Sequence, residues 1–251
     1  MAERKRLKKS EMPIVHLLPN LITIAAICAG LTAIRFGFEG DYERAVRLIL
    51  LACVLDGIDG RLARLLKCQS PMGAELDSLA DFVNFGVAPG FIIYMWAFQD
   101  VNGFGWMAVL IYVICCVIRL ARFNVDSKSE AEDKSDPNYF VGVPSPAGAL
   151  LVMLPMFVSF LFTKEPLLWP EALALYMVGI GGLMISRIPT YSFKMMAVSR
   201  ENVKYLLVGF VFLVAALLTY LWTTLLVLDL VYIGGVIWAR KKSKGSVTNK
   251  V

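Results

Sequence analysis

Histidine occurs once in this sequence, as His16, and charged residues make up only 18% of it. A single histidine beside basic residues leaves no base for a serine or cysteine nucleophile and no imidazole pair for zinc. Cys28, Cys53, Cys68, Cys115 and Cys116 have no metal-ligand spacing, and free cysteine in apolar segments behaves as a small hydrophobe. No internal repeat is visible, and no nucleic-acid partner is expected. Charge is scarce because 58% of the chain is hydrophobic, a level that soluble globular domains rarely reach.

Apolar runs near residues 16–37, 45–66, 74–98, 104–124, 145–163, 170–187, 204–222 and 224–239 each approach the roughly 20 residues that a helix needs to cross hydrocarbon. The expected fold is an all-α integral membrane protein, a polytopic bundle of about eight transmembrane helices. Only Trp222, Thr223 and Thr224 separate the last two, so one bent pair or a re-entrant segment fits the same pattern.

Of the 25 lysines and arginines, Arg35, Arg44, Arg47 and Lys164 fall on one side of this topology and the other 21 on the side of the termini. Positive charge collects on the cytoplasmic side, which predicts cytoplasmic N- and C-termini in a multi-pass cytoplasmic (inner) membrane protein. The expected organisation is a basic segment over residues 1–13, a membrane domain over 14–239 and a basic tail over 240–251. "MAERKRLKKS" precedes an apolar segment that is long and has no small-residue cleavage pattern, so a retained first helix is expected over a signal peptide. Ile27 before Cys28 argues against lipoprotein processing. The long polar connection, residues 124–146, has the length of a functional loop.

Four aspartates interrupt this apolar chain within "LDGIDGRLARLLKCQSPMGAELDSLAD", residues 55–81. At 3.6 residues per turn, Asp56, Asp59, Gly60 and Ala63 share a helical stripe about 100° wide, with Arg64 at its margin. Asp77 and Asp81 share a face of the next helix. The short turn around "CQSPMG" makes the two helices antiparallel neighbours, so the carboxylates converge at the cytoplasmic end and the site opens to the cytosol. Like charges at that depth are costly unless a divalent cation joins them. Oxygen-only ligands suit Mg²⁺, Mn²⁺ or Ca²⁺ rather than zinc, and four carboxylates can hold two ions about 4 Å apart.

Gly57, Gly60 and Gly73 each cost a helix about 1 kcal/mol relative to alanine. Close helix packing is a fair explanation for Gly57 and Gly73. At Gly60 and Ala63, on the carboxylate stripe, room for a bulky ligand is favoured. Arg64 then meets an anion, or is an ordinary positive-inside arginine.

The spacing D-x-x-D-G-x-x-A-R-x8-G-x3-D-x3-D, formed by Asp56, Asp59, Gly60, Ala63, Arg64, Gly73, Asp77 and Asp81, resembles in full the signature of the CDP-alcohol phosphatidyltransferase family. "LPNLIT", "RLARFN", "FVGVPSPAGA" and "SRIPTYSFK" are similar to its bacterial phosphatidylserine synthase branch, over most of residues 17–194. The resemblance implies transfer of a phosphatidyl group from CDP-diacylglycerol to the hydroxyl of L-serine, releasing CMP. It implies that Asp56, Asp59 and Asp77 bind Mg²⁺ or Mn²⁺, and that Asp81 is both a ligand and the general base. It places Asp59, Gly60, Ala63, Arg64 and Gly73 at the cytidine diphosphate, and makes a homodimer plausible.

Direct displacement is expected, because no histidine accompanies Ser78 as a base. Asn20 and Thr23 are candidates for the donor phosphates or for ordinary interhelical hydrogen bonds. A zwitterionic acceptor needs a cation for its carboxylate. Arg119, Arg122 and Asn124 form one candidate cluster, and Arg187, Ser192 and Lys194 another; each arginine or lysine also suits a positive-inside anchor. The alternatives are the same chemistry on choline, glycerol 3-phosphate or inositol phosphate, and a divalent-cation transporter.

Overall fold

The computed structural model describes residues 14–99, 101, 103–129, 139–163, 165–186, 189–191 and 203–248. After a 3-10 turn, Ile14–Leu17, come α1 (Leu18–Phe38), α2 (Tyr42–Leu65) and α3 (Pro71–Asp81). A π-helical turn, Phe82–Val87, carries α3 into α4 (Ala88–Ala97) without a break. Then follow α5 (Phe104–Ser129), α6 (Ser145–Phe162), α7 (Pro170–Ile185), α8 (Val203–Thr219) and α9 (Leu221–Thr248).

A helix thus lies at each expected apolar run, the third run being the α3–π–α4 rod. Among the described residues, five helices are long and apolar enough to cross a membrane: Val15–Phe38, Pro71–Ala97, Phe104–Asp126, Ser145–Phe162 and Leu221–Trp238. Helix α2 has the length, at 24 residues, but carries the charged stretch that ends it. Pro170–Ile185 and Lys204–Thr219 are apolar but shorter.

The fold is all-helical as expected, apart from one short ladder. Strands β1 (Tyr139–Val141) and β2 (Pro189–Tyr191) pair antiparallel, with Tyr139 opposite Tyr191. Tyrosine, phenylalanine, valine and threonine favour strands, but three residues are too few for a periodic pattern to announce them. The helices also run past their apolar cores. Helix α5 continues to Ser129, into the expected 124–146 connection, and α9 continues to Thr248, through most of the expected tail. The bend between α8 and α9 falls at Tyr220, ahead of the expected Trp222–Thr224.

Local signals explain the turn that sets α2 against α3. Lys67 takes the left-handed conformation (φ 50°) just past the end of α2, where helices commonly terminate. Ser70 then caps α3, its Oγ accepting from Gly73 N at 3.0 Å, with Pro71 at the first helical position. The core lies among α4 to α7 and the π turn, filled by Phe85, Ile92, Tyr112, Met153, Phe157 and Met177. Tyr112 donates to the Phe85 carbonyl at 2.7 Å, clamping the π turn to α5.

Gly142, between β1 and α6, has φ +88°, and a Cβ there would lie 2.7 Å from the Ser186 carbonyl oxygen and 2.8 Å from that of Met184. Backbone cannot retreat as a side chain can. Gly142→Ala should therefore destabilise the fold by about 1–3 kcal/mol, read as a lowered unfolding temperature of the detergent-solubilised protein. Gly57→Ala, where a Cβ meets nothing within 4 Å, is the control.

Candidate active site

The C-terminal part of α2 and helix α3 face each other across the capped turn, with α1 alongside. Between them lies a cleft of about 480 Å³ whose lining includes Asn20, Thr23, Asp59, Gly60, Ala63 and Gly73. Asp77 lies at its edge, also lining it. The Thr23 hydroxyl donates to Asp59 Oδ2, tying α1 to the carboxylate. Asp59 is 2% exposed.

Carboxylate oxygens of Asp56, Asp59 and Asp77 all lie within 4.8 Å of one another. Asp56 Oδ1 and Asp59 Oδ1 are buried without a hydrogen-bond partner. Ion pairs form elsewhere, as Arg35–Glu39, Arg44–Asp41 and Arg47–Glu43, and no cation among the described residues pairs with the three aspartates. Three crowded acids with orphaned oxygens and no counter-charge make a donor set that fits a hard divalent cation.

Asp81 stands outside that three-membered group. Its carboxyl is within hydrogen-bonding reach of Asp56, and its other charged neighbours are Asp77 and the Arg119 guanidinium. Arg119 Nη1 donates to the buried Ser145 Oγ at 2.6 Å, and the guanidinium lies over the Phe123 ring, 5.6 Å from its centroid. Asn124 bonds Ser78, Nδ2 to Oγ at 3.0 Å, which ties α5 to α3. Arg122 instead donates to the Ile185 carbonyl at 2.8 Å. It closes the C-terminus of α7, a structural use that the dipole favours. Arg187, Ser192 and Lys194 lie outside the described residues.

Of the residues expected around a nucleotide, Asp59, Gly60, Ala63 and Gly73 line the cleft, as do Asn20 and Thr23. Arg64 does not. Its Nε donates to the Gly60 carbonyl at 3.0 Å, folding the exposed side chain back along its own helix. A Cβ at Gly60 would meet nothing within 4 Å, as expected of space kept open. The same is true of Gly57, so close packing does not explain that glycine. At Gly73 a Cβ would lie 3.0 Å from Asn20 Oδ1 and 3.2 Å from Ser70 Oγ, and there the close-packing explanation holds.

Open space at Gly60 has a direct consequence. Gly60→Leu should fold normally, with an unfolding temperature near that of the parent, yet fill the cleft and weaken cytidine nucleotide binding by about tenfold or more, measured by titration calorimetry.

Sequence reasoning missed two groups on α9. Among the described residues, Asp229, 4% exposed, has Oδ2 unpartnered, and the buried Tyr232 hydroxyl has no hydrogen-bond partner. A lone carboxylate in an apolar span is itself a signal, and Asp229 is the only acid in residues 221–239. Its nearness to other groups is not legible from α9 alone.

The family model described as CDP-alcohol phosphatidyltransferase matches residues 16–186. The CDP-diacylglycerol–serine O-phosphatidyltransferase of Mycobacterium leprae is 43% identical over 175 residues, 70% of this chain and 58% of that protein. The proteins of the same name from Helicobacter pylori and Bacillus subtilis are 35% identical over 204 residues and 37% over 181. Those matches cover 80% and 72% of this chain, and 83% and 93% of the two relatives. The chain spans 58–64% of the mycobacterial relatives it matches. Helices α8 and α9 lie beyond the matched family segment.

Proposed function

This chain belongs to the CDP-alcohol phosphatidyltransferase family, and from that premise we propose that it transfers the phosphatidyl group of CDP-diacylglycerol to the hydroxyl of L-serine, giving phosphatidylserine and CMP. The observation that carries the reading is the cluster of Asp56, Asp59 and Asp77 at the cleft, with the Asp81 carboxyl within hydrogen-bonding reach of Asp56. The proteins that bear this activity in their names are 35–43% identical to the chain.

In this reading Asp56, Asp59 and Asp77 hold Mg²⁺ or Mn²⁺, two ions per site with Asp81 as a further ligand. A divalent ion held there would supply positive charge against the donor pyrophosphate and Lewis acidity toward its phosphorus. Asn20 and Thr23 face the donor phosphates, and Gly60 and Ala63 leave room for the cytidine diphosphate. Asp81 takes the proton from the serine hydroxyl, whose oxygen forms the new P–O bond while the bond to CMP breaks. Ser78 is a poor nucleophile, because its Oγ lies 3.0 Å from both the Ala74 carbonyl and Asn124 Nδ2 and has no base. Direct displacement follows.

Apolar helices and family membership make this an integral membrane protein. The finer topology belongs to the proposal: eight spans, both termini cytoplasmic, residues 1–13 and 240–251 flanking the 14–239 membrane domain, and a cytosol-facing site in the cytoplasmic membrane. A homodimer is proposed by family resemblance. The transporter alternative loses its support, since the acids gather at one end of α2 and α3 around a cleft.

The test is purified protein with CDP-diacylglycerol, Mg²⁺ or Mn²⁺ and labelled serine, with choline, glycerol 3-phosphate and inositol phosphate in parallel. Serine-dependent CMP release is expected. Release with one of the other acceptors alone would replace serine, and no release with any acceptor would remove the enzyme reading.

A further inference from the structure

Helix α1 supplies a hydroxyl to the carboxylate cluster that α2 and α3 carry. Thr23 is 4% exposed and Asp59 2%, so the bond between them forms away from bulk water. Helices α1 and α2 make the most extensive interhelical contact among the described residues, and Ala26, Ala29 and Ala52 are buried together along it. Small residues let helix backbones approach closely in a membrane. That approach brings a threonine of one helix within reach of an aspartate of the other.

The hydroxyl is held in one direction. Thr23 Oγ1 lies 3.1 Å from the Pro19 carbonyl oxygen, one turn back on its own helix, and it bonds Asp59 Oδ2 across to α2. A β-branched side chain in that back-bonding rotamer has little freedom at χ1. A hydroxyl has one hydrogen, and a bond to a carboxylate is about twice as strong as one between neutral groups, so the hydrogen belongs to Asp59. Asp59 Oδ1, by contrast, is buried and unpartnered. The two oxygens of this carboxylate are put to different uses: α1 holds one, and the other keeps its acceptor capacity for an ion. Thr23 also lines the cleft, but phosphate oxygens only accept, and its single hydrogen is already engaged.

We propose that Thr23 is a positioning residue for the metal site: its hydroxyl holds Asp59 Oδ2 so that Oδ1 is presented to the divalent ion. Thr23 thereby sets metal affinity without donating to the donor phosphates. The proposal rests on the phosphatidyl-transfer reading for the purpose of the ion and deepens it. It leaves Asn20, whose amide carries two N–H donors, as the α1 residue that bonds the phosphates.

Thr23→Val removes the hydroxyl and keeps the branched shape, leaving Asp59 Oδ2 without this partner. Titration calorimetry of the whole chain in detergent, with Mn²⁺ and no nucleotide, should show a Kd raised about 10- to 100-fold, the usual cost of losing a group that orients a metal ligand. The Mn²⁺ concentration for half-maximal CMP release should rise by the same factor. Thr23→Ser keeps the hydroxyl and should bind Mn²⁺ as the parent does. Thr23→Ala, which cannot crowd the contact between α1 and α2, should repeat the loss seen with valine. CDP affinity at saturating Mn²⁺ should stay near that of the parent in all three. An unshifted Mn²⁺ Kd in the valine and alanine variants would overturn the proposal. So would an equal loss in the serine variant, which would mark a packing role. A loss confined to CDP affinity at saturating Mn²⁺ would make Thr23 a phosphate contact and overturn it too. The metal titration needs no turnover: if the parent binds Mn²⁺ yet releases no CMP with any acceptor, the transfer reading falls while the Mn²⁺ Kd still decides the role of Thr23.

Discussion

Asp81→Asn should lower kcat for serine-dependent CMP release by about 10²- to 10⁴-fold, the usual contribution of a positioned general base. Asparagine keeps the shape and volume of the side chain and loses the ability to take a proton. Asp56, Asp59 and Asp77 form the close group, and Asp81 stands outside it while within hydrogen-bonding reach of Asp56. Metal and nucleotide binding should therefore remain appreciable in the variant, as titration calorimetry with Mn²⁺ and with CDP would record. A variant that turns over normally would take Asp81 out of the role of base. One that loses metal binding as completely as turnover would make Asp81 chiefly a ligand.

Asp56→Asn should have the opposite profile, with metal affinity itself reduced by about 100-fold or more, since even groups that only support a ligand contribute 10- to 100-fold. Asp56 Oδ1 and Asp59 Oδ1 are buried and unpartnered, so the metal-free protein holds like charges together without compensation. Two effects on stability follow with opposite signs. Without metal, the variant should unfold at a higher temperature than the parent, because one of the crowded charges is gone. With metal, the order should reverse: an ion at 100 times its Kd stabilises the parent by about 2.7 kcal/mol, and the variant receives little of this. Thermal unfolding in detergent with and without Mn²⁺ reads both. A variant still stabilised by Mn²⁺ as much as the parent would remove Asp56 from the ligand set.

These two predictions draw on residues that were legible from spacing alone. Asp56 and Asp59, three apart, and Asp77 and Asp81, four apart, must each share a helical face. The turn between them is short and carries its own stop and start signals at Lys67, Ser70 and Pro71. Convergence of the carboxylates is thus almost a local property. The apolar helices were legible for a similar reason, since a hydrocarbon solvent leaves the backbone few alternatives to helix.

Other side chains were decided by neighbours far away in sequence. Arg119 and Arg122 look equivalent, three apart at the same helix end. One donates to the Ser145 hydroxyl; the other is taken up by the carbonyl of Ile185. Arg64 belongs to the signature, yet its side chain turns to Gly60 O, and it does not line the cleft that Asn20, Thr23, Asp59 and Gly60 share. Gly57 and Gly73 look alike as small residues, but only Gly73 has a neighbour within 4 Å of where a Cβ would be. The β1–β2 pair joins two connections that are distant in the chain.

By itself, then, the sequence determined the membrane character, the helices and the gathering of Asp56, Asp59 and Asp77 near Asp81, because hydropathy and helical period act over a few turns. Only the tertiary structure decided which arginine bonds Ser145 and which the Ile185 carbonyl, where the cleft stays open and that β1 pairs with β2. Those outcomes depend on which helices become neighbours, and helix–helix contact in a bilayer is set by side-chain fit between segments, a property that no single segment carries.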